Sequence, residues 1–189
     1  LRLNTDGRGR YLGEFQGEDR ILVVNKNGTY YTTDYDLSNH YEEGFSVLEK
    51  YEPEKVWSAV FFDAEQQFYY LKRFRFENVV RHTLFIGETE GSYLVALSGE
   101  KRPRFEVVFG GRYESRPAEV IVADEFIAEK SYKARGKRVT TYEVKQINEI
   151  EPLDSGEEES EETASTDIDF EITNPDMLSD ETQMKLDFE

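Results

Sequence analysis

The sequence predicts an all-β protein whose first 150 or so residues form repeated, blade-like strand pairs, followed by an acidic tail. Three observations predict it. The apolar runs are short and alternate with polar residues at the strand period of two rather than the helical 3.6. Gly, Asn and Asp punctuate them as turn residues do. The runs also recur, since Ile21, Trp57 and Tyr93 follow one another at 36-residue intervals, a spacing suited to propeller-like arrays. On periodicity alone a single β-sandwich or barrel is the alternative architecture. With 13 Phe and 12 Tyr among 189 residues, such a chain can bury a sizeable core.

Four strand pairs are expected in chain order. In the first, Ile21, Leu22, Val23 and Val24 enter a turn at Asn27-Gly28 and residues 29–33 return. Asn and Gly tolerate positive φ, which makes this pair the strongest short hairpin signal in the chain. The second runs over residues 56–62, turns at 63–66 and returns over 68–76. On its return strand Phe68, Tyr70, Phe74 and Phe76 share one face, Arg73 and Arg75 share the other, and Lys72 interrupts the apolar face. The third pairs residues 93–97 with 104–109 around Ser98-Gly99. The fourth pairs 119–123 with 126–132 around Asp124-Glu125. Residues 39–54 and 110–117 read as connecting loops.

The composition changes near Ile150. Residues 149–189 carry 16 acids and one lysine, so most of the net charge of −17 lies there. The body, residues 1–148, carries 24 acids and 22 bases, and its segment 101–148 carries 11 bases and 7 acids. A near-neutral body with a basic end and an acidic appendage points to competitive or regulated electrostatics. Residues 154–163 cannot bury enough apolar surface to offset their ordering entropy, so disorder is expected for 151–189. Two short pieces within it could dock: the acid–apolar alternation of residues 167–172, and a helix over 177–188 starting at Asn174-Pro175-Asp176.

Little in the chain points to catalysis. It has no cysteine, hence no disulfide, thiolate metal site or thiol nucleophile. Its two histidines, His40 and His82, lack metal-ligand spacing and read as surface or loop residues. Gly7-Arg8-Gly9 reads as a turn, and no phosphate-binding glycine loop or nucleophile elbow occurs. Residues 157–159 read as a solvated charge run. No apolar run reaches the ~20 residues of a membrane helix. Arg2, Asp6, Arg8 and Arg10 interrupt any signal peptide.

The bases say more. Lys72, Arg73 and Arg75 lie on a strand with interleaved aromatics. Lys101, Arg102 and Arg104 lie at the expected third turn, and Lys130, Lys133, Arg135, Lys137 and Arg138 form the densest cluster. Cations on successive units would form a stripe that holds phosphates without reading bases.

Several segments resemble one family. Residues 8–15 and 21–28 are similar to a blade of the C-terminal domain of bacterial type IIA topoisomerases, the A subunits of DNA gyrase and topoisomerase IV. Residues 30–33, 36–41, 55–57 and 70–74 and the tail's 180–188 extend the likeness over most of the chain. The resemblance implies a β-pinwheel of strand-exchanging blades. About three would lie here, over 1–52, 53–90 and 91–150, as the C-terminal part of a wheel whose chain begins abruptly at Leu1. It also implies a non-catalytic module without cofactor that binds and bends double-stranded DNA for an ATP-dependent type II enzyme. The partners would be the rest of the A subunit and the ATPase B subunit, in the cytoplasm on the nucleoid. The family's active-site tyrosine lies upstream, so none of the twelve tyrosines here takes that role. The glutamine-arginine-arginine-glycine box of gyrase is not found. Its nearest echo is Ala134-Arg135-Gly136-Lys137-Arg138; the missing box favours a topoisomerase IV-like subunit over gyrase, with blades before Leu1 the other place for it. A propeller-like protein-interaction module without DNA binding is the competing expectation. The acidic tail is expected to compete with DNA for the basic rim or simply to solubilise the body.

Overall fold

The computed structural model describes residues 1–153 and the backbone of 183–187. Its strands are β1 (Arg2–Asn4), β2 (Arg10–Glu14), β3 (Ile21–Asn25), β4 (Thr29–Thr33), β5 (Phe45–Lys50), β6 (Trp57–Asp63) and β7 (Phe68–Phe74). They continue with β8 (Thr83–Leu84), β9 (Tyr93–Ser98), β10 (Arg104–Phe109), β11 (Glu119–Val122), β12 (Lys137–Arg138), β13 (Val144–Ile150) and β14 (Gln183–Asp187). One helical turn, α1 (Ala123–Phe126), follows β11. The strands sort into four antiparallel sheets, ordered β1-β14-β2, β5-β3-β4-β8, β12-β7-β6-β9 and β11-β10-β13, here called sheets one to four.

Local chemistry builds the first two hairpins as the sequence predicts. Gly28 has φ of 78°, and a Cβ there would lie 2.2 Å from Ile86, so the turn needs glycine twice over. The Asn27 carboxamide oxygen accepts the Thr29 hydroxyl at 2.7 Å and so ties the turn to β4. In the second turn the buried Asp63 carboxylate accepts the backbone N–H groups of Glu65 and Gln66 at 2.9 and 3.1 Å. This satisfies donors that the turn would otherwise leave unpaired.

Three cores lie between the sheets. Ile21, Val23 and Leu48 of sheet two meet Leu3 and Leu12 of sheet one. Leu22, Val24 and Tyr30 meet Trp57, Phe61 and Phe74 of sheet three. Val60 and Leu71 meet Phe105, Val107 and Phe109 of sheet four. Sheets two and three are therefore buried on both faces. That is why β3 and β6 read as almost unbroken apolar runs, whereas in β10, in sheet four, buried and half-buried positions alternate.

The connections follow one rule. After each hairpin the chain leaves to pair with the outer edge of the preceding sheet, then returns to flank its own first strand. His40 bridges Arg2, β8 joins β4, and β12 joins β7. The returns are β5 onto β3, β9 onto β6 and β13 onto β10. Strands are thus exchanged across the unit boundaries expected at 52/53 and 90/91. Residues 2–14 belong to a sheet separate from 21–50.

Two expected hairpins are corrected. Residues 93–98 do not pair with 104–109, because β9 occupies the free edge of β6 while β10 starts a new sheet that packs on the opposite face of sheet three. Tyr93 is therefore a return strand, and the unit equivalent to Ile21 and Trp57 begins at Arg104. Residues 126–132 are not a strand returning on β11. The Ala123 N–H bonds to Pro103 O at 3.0 Å, α1 turns the chain, and the following segment crosses to β7.

The expected helix over 177–188 is corrected in its described part, since Gln183–Asp187 is a strand between β1 and β2. There β14 takes the central place held by β3, β6 and β10 in the other sheets. The disorder expected within 154–182 lies outside the described residues.

Candidate nucleic-acid interface

The densest basic cluster lies along the outer edge of sheet three. Glu129 bridges Arg73 in parallel, and the Lys130 N–H donates to Arg73 O at 2.9 Å. Lys137 and Arg138 then pair antiparallel with Leu71 and Tyr70, and the Val139 N–H donates to Tyr69 O at 2.8 Å. Between these anchors residues 131–136 bulge off the strand. Gly136 closes the bulge at φ of 93°, where a Cβ would lie 2.6 Å from Leu71 O.

Lys130, Lys133, Arg135, Lys137 and Arg138 are all exposed, and none is ion-paired to a carboxylate among the described residues. Three are braced by rings: Lys133 lies 5.6 Å from the Tyr132 centroid, Lys137 4.2 Å from Phe126 and Arg138 4.4 Å from Phe68. Such bracing reduces the side-chain freedom a cation loses on binding an anion.

The other six candidates fare differently. Lys72 is corrected: it is 3 % exposed and cannot face a solvent-borne ligand. Its Nζ donates to the carbonyls of Phe85, Tyr132 (2.6 Å) and Ala134 (3.3 Å), with the rings of Phe61, Phe74 and Phe85 around it. Burial pulls its pKa down to about 8. Arg73 is half-buried and donates to Ile127 O at 3.4 Å. Arg75 is neutralised between Glu54 and Glu129. Lys101 is exposed in the linker between sheets three and four, which is no hairpin turn. Arg102 is held by Asp124 and Glu125, and the Arg104 Nε donates to Glu151 O at 2.7 Å. The expected stripe of three clusters thus reduces to one fully exposed cluster plus Lys101.

A second surface went unread in the sequence. At the turn end of sheets three and four, Phe62, Tyr69 and Tyr113 line a groove of about 550 Å³ together with Arg112 and Tyr142. Tyr93, 45 % exposed, stacks on Phe62 at 5.5 Å beside it. Arg112 sits 4.8 Å over Tyr113, and Arg116 4.2 Å over Tyr142. These side chains come from β6, β7 and β9, from the connection before β13 and from residues 110–117. The only local signal was the arginine–tyrosine content of that loop.

The two histidines lie apart from the basic edge. His82 stacks on Tyr31 at 4.1 Å, and His40 sits in the bridge to Arg2. No helix among the described residues is long and apolar enough to cross a membrane.

Sheets two to four and the basic edge lie within residues 2–151, and over that span the chain matches the family model of the topoisomerase C-terminal domain of Bacteroidota. The chain belongs to that family. No curated protein and no solved structure matches it. The matched span of this topoisomerase C-terminal domain takes in sheets two to four and strands β1 and β2, and it ends where the acid-rich segment begins.

Proposed function

We propose that this topoisomerase C-terminal domain holds and bends duplex DNA for the A subunit of an ATP-dependent type II topoisomerase. In this reading the four sheets are blades of a β-pinwheel, and the rest of the A subunit and the ATPase B subunit are its partners. One observation carries the reading: five exposed cations without carboxylate partners among the described residues lie along one sheet edge, three of them anchored by backbone pairing and Lys133 and Arg135 on the bulge between. Exposed cations along a sheet edge, with no recognition helix or β-ribbon among the described residues to carry them into a groove, suit phosphate contacts, which position a duplex without specifying its sequence. Bending is part of this reading, and the energy-transfer measurement below tests it separately from binding.

The test is a salt series. Five phosphate contacts give a slope of about −4.5 in log affinity against log salt, roughly a 500-fold loss between 50 and 200 mM. Replacing Lys130, Lys133, Arg135, Lys137 and Arg138 by Gln flattens that slope and weakens binding at low salt. End-to-end energy transfer on a labelled duplex reports bending. An unchanged slope in the five-fold variant would sink the assignment of this edge.

The aromatic–arginine groove favours a second reading, a protein-interaction surface, because Tyr, Phe and Arg are the side chains that anchor such interfaces. Tyr113→Ala with Tyr93→Ala then abolishes capture of a topoisomerase partner subunit while leaving the salt-dependent DNA affinity intact.

A further inference from the structure

The bulge of residues 131–136 presents a packing problem. Along β7 its anchors are two residues apart, at Arg73 and Leu71, while along the bulge Lys130 and Lys137 are separated by six intervening residues. The surplus chain must turn some carbonyls inward. Those of Tyr132 and Ala134 do turn inward, and no backbone N–H among the described residues bonds to either. Buried acceptors left without a donor cost about 1–3 kcal/mol each. The one β7 residue between the two anchors is Lys72, and its ammonium fills this role. Its third bond, to Phe85 O, reaches the neighbouring crossover that supplies β8. Within the bulge itself the hydrogen bonds among the described residues are Ala134 N–H to Ser131 O (2.9 Å) and Lys133 N–H to Ser131 Oγ (3.3 Å).

We propose that Lys72 is a positioning residue for the basic edge: from beneath the sheet it fixes the bulge so that Lys130, Lys133, Arg135, Lys137 and Arg138 are presented together, and it touches no DNA itself. This rests on the DNA-binding reading above. A basic residue in the middle of an apolar strand face is thereby explained by the carbonyls it collects rather than by an external anion. The tyrosine ring of residue 132, buried against Tyr30 at 5.6 Å, pins the bulge at one point only. One point leaves the chain on either side free to rotate, and the ammonium removes that freedom with bonds on both sides of residue 133.

The experiment uses the full chain. Lys72→Met keeps the volume and removes all three donors. It is made in the native sequence and in the variant with Gln at the five edge positions. Duplex affinity is measured at low salt, and amide hydrogen exchange is followed at Lys130, Ala134 and Val139. Lys72→Met is expected to weaken native binding about tenfold, to speed exchange at those amides, and to add nothing in the Gln background. An equal loss in both backgrounds overturns the proposal, because Lys72 then acts on DNA directly or through the whole fold. Unchanged affinity and exchange overturn it while leaving the DNA reading intact. If the Gln variant itself binds normally, the assignment of DNA to this edge fails, and the proposal that Lys72 positions a DNA-binding edge falls with it.

A second variant guards against misfolding. The chain has no cysteine, so Lys72→Cys can be aminoethylated in denaturant and refolded, which restores an ammonium of nearly the same reach. Recovery of affinity on aminoethylation supports the clasp. A refolded, aminoethylated protein with native circular dichroism and weak binding overturns it.

Discussion

At the residue scale the chemistry of one buried lysine sets two expectations. Lys72 titrates at about 8 in the folded protein against 10.5 for an unperturbed lysine, because burial disfavours its charge. Between those values the unfolded chain holds more protons than the folded one. Stability therefore rises with pH through that window, and the gain is lost as pH falls through about 8. Urea midpoints measured from pH 7 to 9.5, below the tyrosine range, should climb in the native chain relative to Lys72→Met. Parallel curves would contradict the burial of the charge. Gly136 sets the second expectation. Its positive φ and the 2.6 Å approach to Leu71 O leave no room for a side chain, so Gly136→Ala should cost on the order of 1–3 kcal/mol in denaturant unfolding. It should also loosen the basic edge. Only part of this was legible in the sequence. That Lys72 breaks an apolar face is visible from alternation. The carbonyls that it binds belong to residues 85, 132 and 134, which no local pattern brings to residue 72.

At the element scale the sequence announces what is local. Asn27-Gly28 and residues 63–67 form their hairpins because each turn satisfies its own backbone within a few residues. The exchanged strands are opaque for the opposite reason. β8 and β12 are two residues long and carry no apolar period, and each is a strand only because a neighbour's edge accepts it. Reading residues 93–98 and 104–109 as a hairpin failed on the same ground. Both runs are apolar and separated by only five residues, 99–103, and periodicity does not say which edge a strand will take. The distinction can be tested. Phe105 lies on β10 in the core between sheets three and four, so Phe105→Ala should cost about 3–5 kcal/mol. Amide exchange should then rise first in β10, β11 and β13. If β9 loosened together with them while β6 and β7 stayed protected, the assignment of β9 to sheet three would fail.

At the scale of the whole molecule, the charge split and the topology bear on the same segment. The acid-rich residues that follow the body lead to β14, which is hydrogen-bonded between β1 and β2 where the other sheets place the first strand of their own hairpin. Removing the tail outright would therefore do two things at once: take away negative charge and open sheet one, since β1 and β2 share no direct pairing. The two effects separate with two variants. Glu157, Glu158, Glu159, Glu161 and Glu162 changed to Gln remove charge and keep β14. If the acids compete with DNA for the basic edge, this variant binds duplex several-fold more tightly at low salt. The advantage shrinks as the screening length falls to about 10 Å at 0.1 M. Deleting residues 183–189 keeps the glutamates and removes the strand. It should lower the unfolding midpoint and speed amide exchange in β1 and β2, with sheets three and four unaffected. Equal DNA affinity for the charge variant and the native chain across the salt series would eliminate competition. The tail's contribution would then be the strand it returns to sheet one.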